Sequence, residues 1–583
     1  MNRGLTWVVL TYSLMGMSWL ASTPVLSQEQ SARPEVRTNA GPAIQDISGT
    51  WVAKMTTPMG EMEITYKLKV NDGKITGTQS LPFGESPIVD GRVSGDTFDF
   101  VVELESFGNI QKSEVKGKIV GDTLELIPAM PAPPPGMGPG AEGPGGPPSG
   151  GPPSGGPPSG GPPSGGPPGP GAPGAPGGGA PPFQIQTVVA RRGTPTPSYR
   201  APSVDYAALP HLALPALRSV PSVGVANTPP MGWNSWNKFQ TKIDDATVRG
   251  IADAMVSSGM KNAGYRYVII DDGWQGSRDA KGVLSPNPQF PDMKALADYV
   301  HSKGLLIGIY SSPGPRTCGG FEGSYGHEEQ DAKTFAAWGM DYLKYDWCSA
   351  SRIWKDADMQ AVYQRMGEAL KQAGRPIVYA LCQYGLAGVV RWGPQVGGSL
   401  WRTTSDISDR YASMAKIGFS QSDLATFSGP GHWNDPDMLE VGNGGMSTNE
   451  YKTHFSLWAM IAAPLIAGND IRSMSPDSTA ILQNSEVVAV DQDSLGAGGK
   501  RVSSTGEIEI WQKPLASGDI AIAIFNHNAE EMPSVVSWET LKIGKDYAVR
   551  DLWAHADRGT TAEAFSEPVA GHGAIVLRLH RLK

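Results

Sequence analysis

The sequence predicts an α/β protein built on a (β/α)8 TIM barrel, with a small all-β domain before it and a β-rich region after it. Three observations carry this reading. Between residues 228 and 470, eight short apolar runs alternate with amphipathic helical patterns, the grammar of parallel βαβ units. From 44 to 130, and again at 183–189, apolar and polar residues alternate one for one, the period of a half-buried strand. Beyond residue 487, further strand patterns recur with turn residues between them. At 583 residues the chain exceeds a single ordinary domain of roughly 100–200 residues.

Arg3 precedes an apolar run over 5–20 that ends in Ala21-Ser22-Thr23-Pro24-Val25-Leu26-Ser27. Val25 and Ser27 suit the −3 and −1 positions of a cleaved secretory signal, so residues 1–27 read as a signal peptide and the chain as exported, periplasmic or extracellular. The run is shorter than the ~20 apolar residues of a membrane span, so none is expected after cleavage.

In the small β domain, Met62, Ile64, Tyr66, Leu68 and Val70 alternate with Glu63, Thr65, Lys67 and Lys69, which turns one apolar face to a core. Asn71-Asp72-Gly73 supplies a turn where positive φ is cheap. The phrase recurs at Gly95-Asp96-Thr97 and Gly121-Asp122-Thr123, which predicts a meander of hairpins forming a small barrel or sandwich. Residues 131–182 are low-complexity, with Gly-Gly-Pro-Pro-Ser repeating from Gly145, Gly150, Gly155 and Gly160. A period of five excludes collagen and implies a disordered insertion before the domain's last strand. The domain thus spans 44–193, its role structural or positioning, and a proline-bearing connector covers 194–226.

Within the α/β region, 227–490, strands are expected at 231–236, 267–272, 305–310, 342–346, 376–381, 400–404, 431–435 and 465–470, with helices such as 246–257, 293–303 and 356–372. Eight strands over this length fit a TIM barrel, and no G-x-G-x-x-G opens a helix as in a doubly wound sheet. Polar residues fall at strand C-termini: Asp271-Asp272, Tyr310, Lys344 with Asp346, Gln383, Arg402 with Asp406, and Asp435 with Asp437. A single such Asp is commonly a helix cap. Six strands delivering them to one rim is the pattern of an active site. Trp233, Trp236, Trp274, Trp347, Trp401 and Trp433 lie near the same rim, where they either pack the barrel wall or offer flat faces to sugar rings.

Charge and cysteine count narrow the chemistry. Lys and Arg number 48 against 57 Asp and Glu, a net −9, the wrong sign for a protein that neutralises nucleic-acid phosphates. Three cysteines, none in a C-x-x-C pair, exclude a cysteine zinc site, and the nine histidines include no H-E-x-x-H. No metal and no cofactor is implied. Clustered carboxylates without metal ligands point to acid/base or nucleophilic work, of which glycoside hydrolysis needs two carboxyls, one ionised and one protonated. A lyase or isomerase using Lys344 as a Schiff-base nucleophile and a catalytically silent sugar-binding protein are the other readings of the same rim.

The runs Met231-Gly232-Trp233-Asn234-Ser235-Trp236, Ile270-Asp271-Asp272-Gly273-Trp274, Leu343-Lys344-Tyr345-Asp346, Trp401-Arg402-Thr403-Thr404-Ser405-Asp406 and Trp433-Asn434-Asp435-Pro436-Asp437-Met438 resemble, in order, the α-galactosidases (melibiases) of glycoside hydrolase family 27. The resemblance covers about 228–583 and implies a C-terminal antiparallel β-sandwich at 491–583. It implies a retaining double displacement on terminal α-linked D-galactose, in oligosaccharides or polysaccharides, with Asp346 as nucleophile and Asp406 as acid/base. Retention calls for carboxyl groups about 5–5.5 Å apart. By the same matching, Trp236, Asp271, Asp272, Tyr310, Lys344, Gln383, Arg402 and Asp437 bind the sugar, Cys318 and Cys348 form a disulfide, and Cys382 is a free packing residue. Many members carry Glu where this chain has Gln383, at the position that reads the sugar's 2-substituent. Galactose is the expected ring, with α-N-acetylgalactosaminide and β-L-arabinopyranoside as alternatives on the same scaffold.

Overall fold

The computed structural model describes residues 46–57, 60–81, 84–106, 109–129, 187–194 and 204–582. The expected signal peptide and the Pro/Gly-rich insertion lie outside the described residues.

The first strands are β1 (Gly49–Thr57), β2 (Gly60–Asn71), β3 (Lys74–Leu81), β4 (Gly84–Ser94), β5 (Thr97–Ser106), β6 (Asn109–Val120), β7 (Thr123–Leu126) and β8 (Val188–Arg192). They pair in sequence order as a closed antiparallel barrel, β8 lying between β7 and β1. The final strand is β8, Val188–Arg192, while residues 183–186 of its expected span lie outside the described residues, and closure removes the edges that an open meander would expose. Asp72 and Gly73 both take positive φ, 50° and 75°, the I′ geometry that matches the twist of a two-residue hairpin. Trp51, Tyr66, Phe98 and Phe100 are buried inside. A Cβ on Gly117 would lie 2.2 Å from the Phe98 ring, and one on Gly91 2.8 Å from Phe100. Glycine therefore makes room for the aromatics, and the interior is filled by side chains.

The connector is strapped along the next barrel. Arg352 stacks over Tyr206 at 3.4 Å, the Tyr325 hydroxyl donates to Pro210 O at 2.8 Å, and Arg218 pairs with Glu368 at 2.6 Å. Val220 N–H then donates to Gln395 O at 2.7 Å, and the Trp433 indole donates to Ala226 O, also at 2.7 Å.

The strands of the second barrel are β9 (Met231–Asn234), β10 (Tyr267–Ile269), then after a small hairpin of β11 (Gln275–Arg278) and β12 (Leu284–Pro286), β13 (Leu306–Ser311), β14 (Tyr342–Asp346), β15 (Val378–Cys382), β16 (Leu400–Arg402), β17 (Trp433–Asp435) and β18 (Leu465–Ala467). All eight barrel strands run parallel, with neighbours β17-β16-β15-β14-β13-β10-β9-β18. Leu439 closes the seam between β17 and β18: its N–H donates to Ile466 O at 2.7 Å and its carbonyl accepts Gly468 N–H at 2.9 Å. Alternation sorts each strand. Leu343 and Tyr345 join the core under the helices, whereas Tyr342 joins the cluster inside the barrel, so Lys344 and Asp346 turn inward with it.

Helix starts follow their caps. Asp244 accepts Thr247 N–H before Asp245–Ser257, Asp292 accepts Ala295 N–H before Met293–Ser302, and Ser447 with Glu450 forms a capping box at Thr448–Ile461.

The C-terminal strands form a six-stranded antiparallel sheet facing a two-stranded one, Met532–Val536 with Phe565–Val569. Ile522, Ile524, Val536, Trp538, Leu577 and Leu579 fill the space between. The sandwich is fastened to the barrel by Lys513 Nζ donating to Ala459 O at 2.9 Å and by the Thr453 hydroxyl donating to His572 O at 2.7 Å. Among the described residues no helix is long and apolar enough to cross a membrane.

Gly77 tests the first barrel. Its φ is +147°, and a Cβ there would sit 1.9 Å from Lys67 O. Gly77→Ala is expected to destabilise that barrel by about 2 kcal/mol or more, seen as faster amide exchange in β2 and β3 while exchange in β13 to β16 of the full chain is unchanged.

Candidate active site

The strand ends bring the expected rim residues together. At the centre, Lys344 donates to Asp271 Oδ2 at 2.8 Å, and Asn234 on β9 donates to the same oxygen at 2.8 Å. The other Asp271 oxygen accepts the Asp272 N–H at 2.9 Å, and the Ser235 hydroxyl accepts the Asp271 N–H at 3.0 Å. Burial opposes the Lys344 ammonium, but Asp271, Asp346 and Asp437 outweigh it and hold its pKa well above that of free lysine. Lys344 is thus a cation here, not the neutral amine a Schiff base requires.

Asp346 stands two residues on, on the same face of β14. Burial pushes its pKa up to about 6; Lys344 pulls the other way, Asp406 pushes upward, and the Tyr384 hydroxyl, donating to Oδ1 at 2.7 Å, lowers it. Asp272 is raised further, to about 7, chiefly by burial, with Gly319 N–H donating to Oδ2 at 2.5 Å. The two aspartates of the pair therefore differ. Asp271 is committed to a cation, whereas Asp272 Oδ1 is buried with no partner in the protein.

Across the mouth, Arg402 bonds Asp437 Oδ2 at 2.9 Å and Asp406 Oδ1 at 3.1 Å. The Asp406 side chain is 42 % exposed, against 4 % for Arg402, so one carboxyl of the pair Asp346 and Asp406 is enclosed and the other meets solvent. Asp437 has φ +100°, a conformation that costs a non-glycine residue. It is pinned by Asp437 N–H donating to Asp435 Oδ1 at 2.9 Å, by the Trp458 indole donating to its carbonyl at 2.7 Å, and by Ile407 N–H donating to Oδ2 at 2.9 Å. Burial raises its pKa against the pull of Arg402.

Gln383 is fully buried. Its Nε2 donates to Arg402 O at 3.3 Å, while its Oε1 has no protein partner, and neither has Arg402 Nε. Buried polar atoms are paired as a rule. Orphan atoms on Asp272, Gln383 and Arg402, all in one mouth, mark where a polar ligand would make its hydrogen bonds.

The pairing of Cys318 with Cys348 is present, and Cys382 is a buried free thiol. The Tyr310 hydroxyl lies 3.2 Å from Cys348 Sγ. Both sulfurs and an Asp346 oxygen lie within 4.8 Å of one another, a spacing that thiolates could offer a metal, but sulfurs joined to each other are not thiolate ligands. Of the six rim tryptophans, Trp233, Trp274, Trp347, Trp401 and Trp433 are buried packing residues; Trp236 is half-buried and stands at the mouth.

Sequence reasoning missed Tyr384, and it missed Glu440, whose pKa burial raises to about 8 and whose carboxyl accepts from Asn237 at 2.7 Å and Asn443 at 2.6 Å. The adjacency of Tyr384 to Gln383 was the available signal for the first. No local pattern marked the second.

Residues 228–493 match the family described as Alpha galactosidase A, and residues 505–579 match its C-terminal beta sandwich domain. An alpha-galactosidase of Cyamopsis tetragonoloba is 46% identical over 355 residues, covering 60% of this chain and 85% of that protein. Alpha-galactosidase A of Cellvibrio japonicus is 43% identical, covering 61% and 92%. Among solved structures, alpha-galactosidase I from Mortierella vinacea superposes with a TM-score of 0.59 at 34% identity, covering 62% of this chain and 98% of that one. The chain, outside its N-terminal third, shares sequence, barrel and sandwich with these proteins, and it belongs to the α-galactosidase family of glycoside hydrolases.

Proposed function

We propose that the protein is an exported, retaining exo-α-galactosidase that removes terminal α-linked D-galactose. The observation that carries this is the pairing of an enclosed carboxyl, Asp346 beside the Lys344 ammonium, with a solvent-facing one, Asp406, in a mouth where Asp272 Oδ1, Gln383 Oε1 and Arg402 Nε are buried without protein partners. Asp346 attacks the anomeric carbon while Asp406 protonates the departing oxygen, and Asp406 then takes a proton from the water that releases the sugar. Lys344 favours the ionised nucleophile and Arg402 orients Asp406. Asp272 Oδ1 and Gln383 Oε1 accept from sugar hydroxyls, Asp271 and Tyr310 hold the floor, and Trp236 packs on the ring. A yeast α-galactosidase of similar fold has been solved with raffinose, at a TM-score of 0.59 and 28% identity, which supports α-galactosyl oligosaccharides as substrates.

Export rests on the sequence of residues 1–27, and the disulfide beside Asp346 suits an oxidising compartment. The N-terminal barrel, filled by its own side chains, is a positioning module rather than a small-molecule binder.

Azide assigns the two carboxyls. Asp346→Ala is expected to lose activity by at least about a thousandfold and, with azide, to yield the β-galactosyl azide, because azide then attacks where the nucleophile stood. Asp406→Ala is expected to hydrolyse galactosides of acidic phenols and, with azide, to yield the α-anomer. Interchanged anomers would reverse the assignment.

The pH profile is a second check. Asp346 must be ionised to attack, so kcat/KM is expected to rise with pH through about 6. A profile already flat at pH 5 would contradict the enclosed setting of that carboxyl.

Gln383 governs the third. Side-by-side hydrolysis of aryl α-D-galactopyranoside, α-N-acetyl-D-galactosaminide and β-L-arabinopyranoside is expected to favour the first: the Gln383 amide oxygen accepts from a 2-hydroxyl, which the acetamido sugar lacks, and the 6-hydroxyl that the arabinoside lacks adds a further donor to the buried acceptors of the mouth. Preference for either of the others would assign a changed pocket on the same scaffold.

A further inference from the structure

Tyr384 lies two residues beyond β15, directly alongside the reacting carboxylate, because Asp346 and Cys382 are register partners on β14 and β15. Its backbone is left-handed, φ 60°, and Gly385 follows at φ 79°, where a Cβ would lie 2.2 Å from Thr403 O. A non-glycine residue held at positive φ costs energy that the surroundings must supply. What this turn achieves is to bring a phenol back over Asp346: the Tyr384 hydroxyl donates to Oδ1 at 2.7 Å and lies 3.5 Å from Cys318 Sγ. Among the described residues, Asp346 Oδ2 accepts no hydrogen bond from the protein.

We propose that Tyr384 is a positioning residue for the glycosidic reaction: it fixes Asp346 Oδ1 as the non-reacting oxygen and leaves Oδ2 to form and break the bond to the sugar. This rests on Asp346 being the nucleophile. In the first half-reaction, an electron pair on Oδ2 forms the bond to the anomeric carbon as the bond to the aglycone breaks, and the aglycone oxygen leaves with the Asp406 proton. Oδ1 is now an ester carbonyl, a weaker acceptor than it was in the carboxylate. In the second half-reaction, water adds its oxygen to the anomeric carbon and gives a proton to Asp406, and the electron pair returns to Oδ2. Negative charge returns to the carboxylate in that step, so the phenol's hydrogen bond strengthens there. Its contribution falls on release of the sugar more than on its capture.

The groups facing Asp346 are Lys344 on its own strand, Asp271 and Asp272 after β10, Tyr310 on β13, Tyr363 from the helix Met359–Gln372, Cys382 on β15 and Asp406 after β16. Lys344 and Tyr384 favour the ionised form, while burial, Asp406 and Asp271 oppose it. Burial, reinforced by Asp346 and Asp406, keeps the phenol itself protonated and thus a donor.

The test uses the full chain, an aryl α-galactoside with an acidic leaving phenol, and a fluorinated galactosyl label. For Tyr384→Phe, kcat and KM are expected to fall together by about tenfold or more, with a burst of about one equivalent of phenol as the glycosyl-enzyme accumulates. The acid limb of kcat/KM is expected to move to higher pH. Tyr384→3-fluorotyrosine keeps the ring in place and strengthens the donor, so the limb should move to lower pH; this variant decides the matter if the phenylalanine variant does not fold. A limb that stays put in the fluorotyrosine variant, or a phenylalanine variant with no burst and unchanged KM, would overturn the proposal. The label separates the two readings. Label on Asp346 with unaltered kinetics removes only the role of Tyr384, whereas label on another residue removes the nucleophile assignment beneath it.

Discussion

Six carboxyl groups, those of Asp271, Asp272, Asp346, Asp406, Asp435 and Asp437, crowd the mouth of the barrel around two cations, Lys344 and Arg402. Two unit charges 4 Å apart interact by about 4 kcal/mol at an effective dielectric of about 20, so six ionised carboxylates could not share this space. The two cations divide these carboxyls by contact. Lys344 takes Asp271 outright and biases Asp346, and Arg402 spans Asp437 and Asp406. Asp272, reached by neither, rises to about 7 through burial. Division of labour among chemically identical side chains follows from which cation each one reaches.

That charge pattern requires a backbone able to hold it. Register sets the coarse positions: Tyr310 beside Lys344, Asp346 beside Cys382, Arg402 beside Asp435. The fine positions come from turns just beyond the strands, where Tyr384 and Asp437 occupy left-handed conformations. Each is over-determined by neighbours, Tyr384 by the close approach of Gly385 to Thr403 and Asp437 by the Trp458 indole and the Ile407 amide. Beneath them the barrel wall is packed with fully buried Trp233, Trp274, Trp401 and Trp433, which leaves the rim little freedom to relax.

Much of this was legible in the sequence, and the reasons differ by element. Parallel strands buried on both faces write continuous apolar runs, so β14 was located at Tyr342–Asp346 to the residue. Charged residues at strand ends stand out against such runs, which is why Asp271, Asp346, Arg402 and Asp437 could be named. For most of the rim tryptophans packing was the better reading, and five of the six are buried; wall and mouth aromatics look alike in one dimension, so Trp236, which is half-buried, was singled out only by the family resemblance. Tyr384 was passed over because its role depends on a backbone reversal, and a residue with φ 60° that is not glycine or asparagine leaves no compositional mark. Glu440 was invisible for a different reason: one of its partners, Asn443, is three residues away, but the other, Asn237, comes from the short helix after β9, some two hundred residues earlier.

The strap that precedes the catalytic barrel has a directional consequence. Its first contact, Tyr206 under Arg352, is with the loop that follows β14, on the face where the strands end. Its last, Ala226 against Trp433, lies at the opposite end, within the apolar cluster of Tyr267 and Tyr342 where strands begin. The polypeptide thus traverses the whole height of the barrel from opening to base before β9 starts. Anything joined upstream of residue 204 is consequently tethered on the face where the strands end. A tether of fixed origin converts an encounter between separate molecules into a search within a small volume, so its effect is set by the local concentration that the linker length imposes.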